Sequence, residues 1–150
     1  MNELKKLIKR HEGYSSVLYK CSGNAMTIGW GHNVDANPLP KDIRTYLDEI
    51  GCITITMAER LLDADIKIAR DSCKALFRNF DAFSENRQNA LIDFVFNVGI
   101  TTARKFKNTI AAIQESENAW CRAALEFKNS KWFSQVGNRS VEICEMIMNG

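Results

Sequence analysis

Residues 86–98 constrain the fold more than any other stretch of the chain. Ala90, Leu91, Ile92, Phe94, Val95, Phe96 and Val98 crowd into it. Coiled as a helix, the run points apolar groups in every direction, so other elements have to wrap it. A chain of 150 residues with 45% hydrophobic content can supply that wrapping within one domain, here taken as residues 1–150.

Helical periodicity recurs on both sides of this segment. Leu4, Leu7, Ile8 and His11 predict a helix over 3–11, stopped near Gly13. Leu62, Ile66, Ala69, Cys73 and Leu76 form one stripe and predict a helix over about 57–76, long enough to link two lobes. Thr56 and Glu59 have capping-box spacing at its start. Further helices are expected near 102–114, 117–128 and 139–148, the last opened by Asn138 as N-cap. Trp120 and Trp132 lie on helical stripes, which reads as core. Pro38 and Pro40 mark a loop.

From Tyr14 to His32 the period changes to two. Met26, Ile28 and Trp30 would share one side of a strand, and Thr27, Gly29 and Gly31 the other. Ser22, Gly23 and Asn24 supply a turn. A side lined by Thr and Gly leaves room for a bound polymer; alternatively the glycines serve twist or bulges. The pattern predicts an α+β fold. A small β-hairpin lobe (about 13–57) and a larger helical lobe (about 58–150, with helix 1–11) are joined by the long helix, with a cleft between them.

Several function classes are disfavoured. A net charge of +2 gives no reason to expect nucleic acid, and Lys5, Lys6, Lys9 and Arg10 read as a solvated helix face. The cysteines at 21, 52, 73, 121 and 144 lack CxxC and Cys/His ligand spacing, so neither a disulfide framework nor a metal site is expected. Their number suits folding in a reducing cytoplasm, with Cys73, Cys121 and Cys144 as buried packing residues. The first ten residues hold no long apolar core of a signal peptide, and no stretch reaches the ~20 apolar residues of a membrane span.

The chemistry concentrates in His11–His32, where Glu12, Cys21 and Thr27 stand. A carboxylic acid at a helix end facing a small polar pair on a hairpin can protonate a leaving group from one side and handle a water from the other. Taken with Thr27-Ile-Gly-Trp-Gly-His32 and Lys131-Trp-Phe-Ser-Gln-Val-Gly-Asn-Arg139, the chain resembles the phage-type lysozymes, the T-even endolysins of glycoside hydrolase family 24. Ala90–Gly99 is similar to that family's central helix and Ser130–Gln135 to its late helical signature. The family spacing of Glu, Asp or Cys, and Thr maps without a gap onto Glu12, Cys21 and Thr27.

The resemblance implies an endolysin that hydrolyses the β-1,4 bond between N-acetylmuramic acid and N-acetylglucosamine in peptidoglycan. Glu12 would be the general acid, with Cys21 and Thr27 handling the water. It also implies no cofactor, and Arg139 paired with and orienting Glu12. His32 would hold the hairpin, with Asp65 preferred over Asp63 as its partner. Gly29, Gly31, Asn97 and Gln135 are expected to bind substrate. A thiol of ordinary pKa is a poor base at neutrality, so Cys21 is open to three roles: base, covalent nucleophile or spectator. Two rival readings remain. One is lytic-transglycosylase cleavage to anhydro-muramic products; the other is a peptidoglycan-binding module without catalysis. The expected protein is a monomer that gathers in the host bacterial cytoplasm, reaches the wall by holin-dependent release, and does not insert stably into the membrane.

Overall fold

A computed structural model of the chain describes residues 2–115 and 119–150. It is α+β. The chain divides into two compact units, Met1–Lys67 and Ile68–Gly150, and the division falls inside one long helix.

The first unit opens with α1 (Glu3–Glu12). Asn2 caps it through a 2.8 Å bond from the Lys5 amide, and Gly13 ends it at φ 69°. Strands β1 (Ser15–Lys20), β2 (Met26–Gly29) and β3 (His32–Asn33) follow, forming an antiparallel sheet in the order β1-β2-β3. The turn between β1 and β2 is tight: the Cys21 amide donates to the Ala25 carbonyl at 3.0 Å, and Asn24 takes the left-handed conformation. Ile28, Leu39, Ile43, Leu47, Ile53, Ala58 and Leu61 make the core of the unit, with Leu18, Trp30, Val34 and Met57 against it. Trp30 is thus a packing residue.

Some local expectations are corrected here. Helix α2 (Lys41–Ile50) occupies a region read only as loop. Its buried Ile43 and Leu47 have helical spacing, and Pro40 stands at its N-cap, where the missing N–H does no harm. Helix α3 (Ile55–Leu76) starts slightly earlier than expected and is capped by Thr54, whose hydroxyl accepts from the Met57 amide at 3.2 Å; Thr56 is not its cap. The lysines of α1 are not a plain solvated face. Lys5 pairs with Glu59 and Asp63, and Lys9 pairs with Glu59 while lying 4.1 Å over the Trp30 ring. These pairs tie α1 to the hairpin and the start of α3. Residues 1–11 lie in the same unit as the sheet.

In the second unit α4 (Glu85–Ala103) contains the all-round apolar run, and Ala90 to Val95 are all buried. Gly99, at φ 78°, breaks the helix just past that run. Helix α5 (Lys107–Glu115) packs on α6 (Ala119–Lys128); α6 and α7 (Lys131–Val136) meet α4 through Phe127 and Trp132, and α8 (Asn138–Asn149) packs along it. Phe94, Phe106, Phe127 and Trp132 interlock mostly edge to face, with centroids from 4.8 to 6.4 Å apart. The expected start of α6 at 117 lies outside the described residues. Cys121 is exposed: α6 buries Ala119, Ala123, Ala124 and Phe127, and Cys121 falls on the opposite face. Asn138 begins α8 without capping it; Gly137 precedes it with no side-chain cap.

Candidate active site

Glu12 is the last residue of α1, and its carboxyl is laid against the backbone of the hairpin. A Cβ at Gly31 would stand 2.5 Å from Glu12 Oε2 and 2.7 Å from its carboxyl carbon. Gly31 also holds φ +72°, where other side chains are strained. Both facts demand glycine, and both serve the placing of Glu12. Gly29 has another explanation: at φ +66°, a Cβ added there would stand 3.5 Å from the Ala58 side chain, where the sheet closes onto α3.

Cys21 ends the first strand run and is half-buried. The Thr27 hydroxyl favours its thiolate most, followed by the Ala25 amide; burial opposes them, and the Gly23 amide adds a little. The balance holds this thiol below its ordinary value, so more of it stands as the thiolate, the form that can accept a proton or attack carbon, than in a free cysteine. Thr27 is only 4% exposed, and its hydroxyl donates to the Ala25 carbonyl at 2.9 Å.

His32 is 4% exposed and fixed through both nitrogens. Its Nδ1 lies 2.7 Å from Asp65 Oδ2 and its Nε2 2.8 Å from the Asn37 carbonyl oxygen. Burial alone would pull its pKa down; the bond to Asp65, the Asp65 charge and the Asn37 carbonyl outweigh this and raise it. Both neighbours are acceptors, so the site favours the doubly protonated, charged ring.

Tyr19 had no role in the sequence reading, yet it stands in this group. It faces Thr27 across the β1–β2 ladder. Burial first, then the charges of Glu12 and Cys21, push its phenol pKa up. Its opposition to Thr27 could have been read from the hairpin pattern had the register been known.

In the second unit, Arg139 is bound by a residue the sequence reading passed over. Its Nε and Nη2 each donate to the Asp93 carboxylate at 3.0 Å, and Nη2 donates to the Asp93 carbonyl at 3.3 Å. Asp93 is completely buried. A carboxylate inside an apolar helix requires a counter-charge, so the sequence did hold the signal. Asn97 accepts from the Trp132 indole at 2.8 Å. Exposed Gln135 lines an open groove of about 420 Å³ together with Phe106, Lys107, Glu126, Lys131 and Trp132.

A carboxyl at the end of α1 and a thiol at the turn of the adjoining hairpin, in an α+β chain whose second unit is all-helical, are the arrangement of a lysozyme-type fold. The chain belongs to the phage lysozyme family, whose model matches residues 9–143. It is similar to the probable T4-type lysozymes 2 and 1 of Dictyostelium discoideum, at 29% and 28% identity, covering all of this chain and 96% of each relative. It also matches the pre-baseplate central spike protein Gp5 of Enterobacteria phage T4 at 24% identity, over 96% of this chain but only 27% of that protein. The chain is accordingly a glycoside hydrolase, a muramidase.

Proposed function

We propose that the chain is an endolysin cutting the β-1,4 bond between N-acetylmuramic acid and N-acetylglucosamine. Glu12 protonates the leaving oxygen, and Cys21, with Thr27, takes the proton of the attacking water. The observation that carries this reading is the setting of Cys21, whose thiolate is favoured by Thr27 and the turn amides in the same unit that presses the Glu12 carboxyl onto Gly31. A sulfur so placed can do the work of the aspartate found in other members.

Arg139 enters the proposal as the residue orienting Glu12, a role resting on the resemblance. Asn97, Gln135, Gly29 and Gly31 enter it likewise as contacts for the glycan. Holin-dependent release from the host cytoplasm and action as a monomer complete the proposal.

The test compares Glu12→Gln with Cys21→Asp, Cys21→Ser and Cys21→Ala on purified peptidoglycan, with products identified by mass spectrometry. Glu12→Gln is expected to abolish clearing. Cys21→Asp should retain activity, and the Ser and Ala variants should lose about 100-fold or more. Equal activity in all three Cys21 variants would make the sulfur a spectator. Anhydro-muramic products would replace hydrolysis with transglycosylation.

A further inference from the structure

A water about to attack a sugar carbon needs an acceptor for the proton it will lose and a donor to fix its lone pair. In the reading above, on which this inference rests, Cys21 and Thr27 are the acceptors. Thr27 cannot readily be the donor as well. Its hydroxyl has one proton, and that proton is directed at the Ala25 carbonyl 2.9 Å away or at the Cys21 sulfur beside it. Its oxygen is left with lone pairs to offer.

The residue directly opposite Thr27 in the ladder is Tyr19. Opposed residues of an antiparallel pair project from the same face with their Cβ atoms about 4.5–5.5 Å apart. Tyr19 is half-buried, and its hydroxyl takes part in no hydrogen bond among the described residues. Burial most of all, and then the charges of Glu12 and Cys21, raise the pKa of the phenol. Those charges and its burial also keep it protonated, leaving a neutral O–H donor available across the working range.

We propose that Tyr19 is a further catalytic residue of this site, its phenol O–H donating to the water that Cys21 deprotonates. In the step, the water oxygen bonds to the anomeric carbon as the glycosidic C–O bond breaks. The water's proton goes to the Cys21 sulfur, and the Glu12 proton goes to the leaving oxygen. The phenol keeps its own proton throughout, fixing the direction of attack.

Tyr19→Phe keeps the ring and removes the hydroxyl. Initial rates on solubilised peptidoglycan should show kcat lowered by about 10- to 100-fold, the range expected for one hydrogen bond to a reacting group. KM should stay within about two-fold and the melting midpoint should not move, because no described residue bonds to this hydroxyl. A Tyr19→Phe enzyme with undiminished kcat overturns the proposal, as does a loss appearing wholly in KM or in stability. Glu12→Gln measured in parallel separates the two levels: if it stays active, the underlying assignment falls. If it is dead while Tyr19→Phe is unimpaired, the role of Tyr19 alone falls.

Discussion

Asp65→Asn should destabilise the protein in a strongly pH-dependent way. His32 and Asp65 are 5% and 13% exposed at their side chains and 2.7 Å apart, so their bond is charge-assisted and largely screened from water. Such a bond contributes about 1.5–3 kcal/mol. Loss of about 2 kcal/mol would lower the melting midpoint of a chain this long by about 4–8 °C. The folded pKa of His32 is raised, so the folded state binds the imidazole proton more tightly than the unfolded chain does. The stabilisation is therefore complete below the unfolded value of about 6.5 and disappears as pH rises through the folded one. Asparagine can still accept from Nδ1–H but brings no charge, so the variant's His32 gives up its proton earlier. Urea unfolding followed by tryptophan fluorescence should accordingly show the largest gap between wild type and Asp65→Asn near pH 5.5, shrinking towards pH 10. A gap equal at both ends would refute the reasoning. So would an NMR titration placing the wild-type His32 pKa at or below its ordinary value.

Other consequences follow from single contacts. Gly31→Ala would put a methyl 2.5 Å from Glu12 Oε2 at a φ of +72°. It should cost about 1–2 kcal/mol from backbone strain alone and, by displacing the acid, remove most wall-clearing activity in a turbidity assay. Iodoacetamide should label Cys21 with a pH midpoint below that of a free thiol, and Thr27→Val should move that midpoint up, as peptide mass spectrometry can follow. Cys73, whose burial pushes its thiol far up, should remain unlabelled until the protein unfolds.

Helices α1, α3 and α4 were legible in the sequence because their apolar stripes are long and each buries one continuous surface or is buried all round. The hairpin was legible from its alternation and turn residues. Helix α2 was hidden by Pro38 and Pro40: a proline that ends one element can also open the next, and only the burial of Ile43 and Leu47 decides between the two. The caps failed for a related reason. Thr54 and Thr56 are chemically alike, and the helix start is chosen by where Ile53 and Ala58 must pack, not by the hydroxyl. Cys121 shows the limit of composition, since a cysteine in an apolar helix is buried only if the phase of that helix turns it inward.

At the site the division is between spacing and approach. Glu12, Cys21 and Thr27 could be picked from one short stretch because the turn that links them is local. Three relations could not. The glycine under Glu12, the Tyr19–Thr27 opposition and the clasp of Asp93 on Arg139 all depend on distances set by packing. Each nevertheless left a physical trace. Asp93 is a carboxylate in a helix with no polar face, and removing it would take away the carboxylate that holds Nε and Nη2 of a guanidinium only 9% exposed. Breaking a buried ion pair by removing one member costs about 3–5 kcal/mol. A polar residue in an apolar run, a glycine with no turn to make and a tyrosine opposite a site threonine are local choices that the local fold does not require. Each is a departure from local preference of the kind that marks a residue kept for something other than the local fold.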